Sequence, residues 1–159
     1  MACDDGDVIF TSFDFEEIDL QQCGDVGDYV FFKINNENRE SLSLQIRAQD
    51  SILHVADTVV YTIDETTNRL FYRKYDGDIE SNYFCNAIPA ISPQVTEEYI
   101  SSAGEATVIT KIVTDTTENG IQHTYTTQIR LRNLRMENND ESIVRESLIL
   151  GVIERSEIE

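Results

Sequence analysis

From position 29 onward the chain alternates between short apolar stretches and polar breaks, and the period of the alternation is two. "YVFFKIN" (residues 29–35) is aromatic and β-branched, and "SLSLQIR" (residues 41–47) puts Leu42, Leu44 and Ile46 on one side. "TVVYTID" (58–64) and "RLFYRKY" (69–75) read as strands joined by the polar turn "ETTN". Further on, "TVITKIVTDT" and "IQHTYTTQIRLRNL" flank Glu118-Asn119-Gly120. Asn-Gly supplies the positive φ angles of a tight type I′ hairpin turn. A turn centred on Asn119-Gly120 pairs Ile112 with Thr127, Thr110 with Ile129 and Val108 with Leu131, which together with Tyr125 make an apolar face. The complementary set pairs Val113 with Thr126, Lys111 with Gln128 and Ile109 with Arg130, a mixed face suited to solvent. A slip of one residue would mix the two faces, so the register is well specified.

The last segment, "SIVRESLILGVIE", aligns Leu148, Leu150 and Val152 and reads as a closing strand. Helix signals are poor: "FEEIDLQQC" is short and equally compatible with an extended chain. Residues 86–105, with Pro89 and Pro93, read as a long connection between two β-rich halves, with "TEEYI" forming a turn of helix inside it. The two halves show no convincing repeat. Several strands, short turns and little helix predict an all-β fold, an antiparallel β-sandwich of Ig-like or jelly-roll-like form, with a β-barrel as the alternative.

Length and charge narrow the function. At 159 residues the chain makes one domain, which we place over residues 11–159, with residues 1–10 as a separate anchoring segment. The net charge of −18, from 30 acids against 12 bases, repels phosphate backbones and anionic lipid surfaces, so no nucleic-acid partner is expected. No apolar run approaches the roughly 18 residues that span a bilayer. Residues 1–10 have neither the basic start nor the apolar middle of a signal peptide, so for an exported protein the numbering begins after processing. No N-x-S/T acceptor occurs.

Three cysteines are present, Cys3, Cys23 and Cys85. Cys23 and Cys85 are 62 positions apart, which fits no zinc pattern, and two histidines are too few for a Cys/His cluster. In an oxidising compartment the two would bridge; in a reducing one they would be buried free thiols. Cys3 stands apart, before Asp4 and Asp5, with no basic neighbour to favour its thiolate. That argues against catalysis and for a point of attachment.

The order "CDDGD…FDFEE…C…YVFFKINN…ESLSLQI", followed by "YFCNAIP…PQVTEEY" and "TYTTQIRLRNL", resembles small surface lipoproteins of the Bacteroidota, of flavobacterial type. The resemblance covers nearly the whole chain, although no single motif is diagnostic. It implies that Cys3, preceded by Ala2, is the acylated residue, and that Asp4, Asp5 and Asp7 form the signal for export to the outer leaflet of the outer membrane. It also implies a Cys23–Cys85 disulfide, no enzymatic activity and no cofactor. At about 0.8 kcal/mol per buried methylene, a multiply acylated cysteine holds a protein to a membrane without a transmembrane helix.

Other chemistry is faint. No GxSxG elbow, HExxH, P-loop or dinucleotide fingerprint is present. His54 and His123 are lone residues, with His123 on the Tyr125 face of the hairpin, where a partly buried structural role is the preferred reading; a Ser-His-Asp triad is recognised by geometry rather than order. "YDGDIESN" gathers Asp76, Asp78 and Glu80 around Gly77, oxygen chemistry suited to calcium, but without the pattern of an EF-hand, and a solvated turn is the preferred reading. Glu16/Glu17 and Glu97/Glu98 are adjacent, so on a strand they point to opposite faces and make poor acid/base pairs. Arg130 and Arg132 share one side of a strand, with Lys111 across the hairpin and Arg135 following, a basic stripe that either balances local acids or docks an acidic loop of a partner. Tyr72, Tyr75 and Tyr83 would suit either a core or a sugar-stacking surface.

These observations order three functions. First stands an accessory subunit docked on an outer-membrane protein complex or β-barrel. Second is a glycan- or ligand-binding surface lipoprotein, which requires an exposed row of aromatics. Third is a hydrolase, which requires a histidine in a cleft beside a nucleophile. A sandwich hosts all three.

Overall fold

A computed structural model describes residues 15–86, 88 and 90–159. Within them the chain forms eight antiparallel strands and no α-helix: β1 (Gln21–Asp25), β2 (Asp28–Asn35), β3 (Glu40–Ile46), β4 (Asp57–Thr62), β5 (Arg69–Tyr75), β6 (Val95–Thr117), β7 (Gly120–Glu137) and β8 (Ser142–Ile158). They form one sheet in the order β1-β2-β3-β5-β6-β7-β8, curled into a half-barrel, so the all-β antiparallel expectation holds. The 23-residue β6 takes two strands on the same edge: β5 pairs with its first part and β4, off the main path, with residues 105–110. The segment carrying Cys3, Asp4, Asp5 and Asp7 lies outside the described residues, as does Pro89.

The concave side holds the core. Phe31, Leu42, Leu44, Ile46, Leu70 and Tyr72 are buried there with Val108, Ile129 and Leu131. The other face of β2, β3 and β5 is covered too, by the connection between β5 and β6. Phe32 packs on Phe84 at 4.9 Å between ring centres, and Tyr75 on Tyr83 at 5.4 Å. The Asn36 side chain holds the Ile79 backbone through its N–H (2.8 Å) and its carbonyl (3.0 Å). A Cys23–Cys85 disulfide, with Cα atoms 5.8 Å apart, pins this cover to β1. Burial on both faces explains why "YVFFKI" is nearly continuous in apolar character rather than alternating. Lys33 interrupts the run on the core side. Its ammonium donates to the Phe15 carbonyl at 2.8 Å, and burial holds it below the usual lysine range against the opposing pull of Asp19 and Glu16.

Three sequence expectations are corrected. "TEEYI" is strand, not helix, and residues 95–105 belong to β6 rather than to a connection. Its acids answer the bases of β5: Glu98 faces Arg73 (2.5 Å) and Glu97 faces Lys74 (3.8 Å), while Tyr99 is fully buried. Such cross-strand pairs settle the segment as β. The β6–β7 hairpin pairs Ile112 with Tyr125, Thr110 with Thr127 and Val108 with Ile129, two residues from the expected register. The positive φ falls on Gly120 and on neither Glu118 nor Asn119, so those two are the turn's centre and Gly120 its fourth residue. The Thr117 hydroxyl accepts the Asn119 N–H (3.2 Å) and donates to the Gly120 carbonyl (2.9 Å). Because side chains alternate with period two, a shift of two leaves both faces as expected.

The third correction is in β8. Gly151 pairs with Ile129 and Ile149 with Arg130, which leaves Leu150 as an extra, bulged residue buried on the core side. Leu148 and Leu150 therefore point inward as expected. Past the bulge the phase inverts: Ile153, opposite Thr127, packs against the core, and Val152 is 49% exposed. Gly151 has φ +154°, and a Cβ there would stand 2.9 Å from the Leu20 side chain, so the chain crossing β8 requires glycine at this point.

Candidate functional site

The convex face of β4, β6, β7 and β8 is the first surface with functional potential. One cross-strand row reads Val60–Thr107–Arg130–Ile149, and the next Thr58–Ile109–Gln128–Val152. Val60 and Ile149 are each 57% exposed, and both lie in the row that carries Arg130. Arg130 and Arg132 project from the same side of β7 and are exposed, as expected; Arg130 donates to Gln128 at 3.1 Å, and Arg132 stands opposite Glu105. The corrected register moves Lys111 to a place opposite Thr126, four residues along β7 from Arg130, so it does not continue the stripe. Arg135 is half-buried and committed to Glu137 (2.9 Å) and Ser142 (3.3 Å). The basic stripe therefore reduces to Arg130 and Arg132, set among apolar neighbours that no basic pattern would reveal.

The calcium candidates are tied to protein groups. Asp76 accepts the Gln94 N–H at 2.9 Å and Asp78 pairs with Arg39 at 3.4 Å, while Glu80 lines the same open hollow of about 350 Å³. Among the described residues no three His, Cys, Asp or Glu side chains are grouped to hold a metal ion. Both histidines gather at Tyr125, His54 at 5.3 Å and His123 at 6.5 Å between ring centres. Each meets an acid from the end of the chain: His54 Nε2 lies 3.2 Å from Glu157 and His123 Nε2 lies 3.3 Å from Glu159. Thr114 Oγ1 is 3.0 Å from His123 Nδ1, which gives the order hydroxyl, imidazole, carboxylate on the exposed end of the hairpin. None of the three residues lines the hollows beside β4, around residues 76–93 or beside residues 137–140.

The tyrosines are structural. Tyr72 and Tyr75 are buried and Tyr83 half-buried, and among the described residues no tyrosine or phenylalanine side chain is exposed. The exposed aromatic row required for sugar stacking is thus lacking on this surface. Tyr72 donates to the buried Glu40, and Tyr99 to Glu141 at 2.7 Å; burial, together with these carboxylates, pushes both phenols up.

A cavity of about 560 Å³ opens on the concave side beside β4. The inward row of that strand, Asp57, Val59 and Tyr61, pairs with Thr110, Val108 and Ala106 of β6 and forms one wall. The loop after β3 forms the other with Asp50, Ile52 and Val55. This loop is fixed in place: the Ile52 carbonyl accepts from Thr110 Oγ1 at 2.7 Å, and the Gly27 N–H donates to the Ala48 carbonyl at 2.6 Å. Sequence reading identified β4 as a strand but gave no sign of a cavity, because "DTVVYT" does not say which strand it will join. Comparison with family models, curated proteins and solved structures gives no significant match to the chain.

Proposed function

We propose that the protein is a non-enzymatic lipoprotein of the outer membrane, held at the cell surface through an acylated Cys3, and that it serves as an accessory subunit of a larger outer-membrane protein complex. The observation that carries this reading is the convex face, where Arg130 stands opposite the exposed Ile149, with the exposed Val60 further along the same cross-strand row and Val152 in the next. Exposed apolar side chains beside an arginine have the composition of a protein interface rather than of an idle surface. The partner chemistry that fits is an apolar patch carrying an acidic or carbonyl-rich loop for Arg130 and Arg132. Tethering through Cys3 would confine the search for such a partner to the membrane plane, and Asp4, Asp5 and Asp7 would serve as the export label.

The test is purification of the full-length tagged protein from its native membranes in gentle detergent, with mass spectrometry of what accompanies it. A stoichiometric outer-membrane barrel is expected, and Arg130→Glu should abolish its recovery without lowering the melting temperature. Cys3→Ser should release the protein from membranes still folded. Recovery of the protein alone would favour a free-standing ligand-binding lipoprotein, a second reading supported by the cavity beside β4. The glycan form of that reading lacks its aromatic platform.

A further inference from the structure

We infer that the cavity beside β4 is a binding site for a small organic cation, an ammonium or guanidinium group on an apolar stem. The inference is independent of the docking face, which lies on the opposite side of the sheet. A volume of about 560 Å³ lies within the range of small-molecule sites, roughly 300–1,000 Å³. The walls divide by chemistry. Ile52, Val59 and Val108 provide an apolar floor, with the exposed Val55 at the rim. Asp50 and Asp57 stand on opposite walls, one on the loop and one on β4, and among the described residues no Lys, Arg or His lines the space.

The polar groups differ in how far they are already committed. The Thr110 hydroxyl is occupied by the Ile52 carbonyl and by Thr127 (2.9 Å). Asp57 Oδ1 accepts the N–H of Thr58 at 2.8 Å, which leaves its other oxygen available. The carboxylate of Asp50 and the hydroxyl of Tyr61 have no hydrogen-bond partner among the described residues. Tyr61 is half-buried, and burial, with Tyr29, Asp50 and Asp57 nearby, pushes its phenol up, so the ring stays neutral and its oxygen can accept. Two carboxylates and a neutral acceptor above an apolar floor repel an anion. A cation with an apolar stem meets both halves of the lining, and the −18 charge of the chain raises its local concentration.

The test uses three probes of one size and different charge: hexylamine, hexanol and hexanoate, titrated into the full chain at neutral pH and followed by amide and methyl NMR. Hexylamine is expected to give saturable shifts confined to Ala48, Ile52, Val59, Tyr61 and Val108. Hexanol should bind at least tenfold more weakly and hexanoate not at all. The double variant Asp50→Asn, Asp57→Asn should lower hexylamine affinity at least tenfold and leave hexanol unchanged. The amide oxygen introduced at position 57 still accepts the Thr58 N–H, and the same spectra report that the variant is folded. Equal binding of hexylamine and hexanol would overturn the inference. Shifts spread without saturation over the acidic surface would also overturn it, as diffuse counterion attraction. The probe comparison on the unaltered protein stands even if the double variant does not fold.

Discussion

Strands β2, β3 and β5 are packed on both faces, whereas β6, β7 and β8 lie on the core with one face and run beyond it at their ends. In the first region Phe31 faces the core and Phe32 the disulfide-pinned cover, and neither meets solvent. In the second, residues 111–116 of β6 and 154–158 of β8 are exposed throughout. The doubly covered strands are rich in aromatic and aliphatic residues, and the long ribbon is rich in threonine. β-branched threonines stabilise a ladder through cross-strand pairing even where no core lies beneath them, as Thr114 does with His123 at the exposed end. The first region supplies stability and the second supplies surface, and both candidate sites lie on strands of the second. Among the described residues no strand pairs with the outer edge of β8, which carries Arg145, Glu146, Glu154, Arg155 and Glu157, charges that discourage edge-to-edge association.

The sharpest test of that division is a pair of truncations. Phe31→Ala, at a fully buried site, should cost about 3–5 kcal/mol. Ile149→Ala, at a residue 57% exposed on the ribbon, should change stability by about 0.5 kcal/mol or less. Urea unfolding of both variants makes the comparison directly. A large cost at Ile149 would mean that the convex face is structural, and the docking proposal would lose its main support.

Removing the disulfide weakens only the first region's cover and should have the next largest effect. The bridge closes a 62-residue separation, worth about 4 kcal/mol in the chain-entropy model. A loss of that size lowers the melting temperature by about 8–16 °C at this chain length. Thermal melts with and without reductant measure it, and hydrogen exchange apportions it: protection at Thr110 and Thr127 should fall by no more than the global loss, and around Phe32 and Tyr75 it should fall further. An unchanged melting temperature would show that ring packing and the Asn36–Ile79 hydrogen bonds hold the cover without the bridge.

Much of this division was legible in the chain, for reasons that separate local from distant effects. The strands over 29–35, 41–47 and 69–75 follow from alternation and β-branching, which depend only on neighbours. The faces of the β6–β7 hairpin were legible as well, since the two-residue error in register preserves them. What was lost depends on contacts across the fold. "TEEYI" has the acids of a helix start, and only Arg73 and Lys74 on β5 show why they belong in a strand. The bulge at Leu150 arises because Leu20 crosses Gly151, and the lone glycine in "SLILGVIE" was its one local trace. Arg130 and Arg132 were visible as a basic pair, but their apolar neighbours come from β4 and β8, and the cavity beside β4 has walls from three separate segments.

The turn between β4 and β5 joins the two regions, and the smallest expected effect lies there. Asp64 Oδ1 accepts the N–H groups of Thr67 (2.6 Å) and Thr66 (2.8 Å) and the Thr66 hydroxyl (3.3 Å). These bonds, the Thr67 N–H foremost, hold its carboxyl below the ordinary aspartate range. The folded state therefore releases this proton more readily than the unfolded state. The resulting stabilisation is fully present above the unfolded value, near pH 4, and is lost as pH falls through the lower folded value. Asp64→Asn keeps an acceptor for the two N–H groups but carries no charge. Wild type should thus exceed Asp64→Asn in stability at neutral pH, by a small amount because the carboxylate is solvated, and the two should converge as pH falls through the lowered folded value. Urea midpoints of both proteins between pH 7 and 2 give the difference directly. Curves that stay parallel throughout would mean that the turn forms equally well around a charged or a neutral residue, held by Asn68, which donates to the Thr62 carbonyl, and by Ser101, which donates to the Asp64 carbonyl.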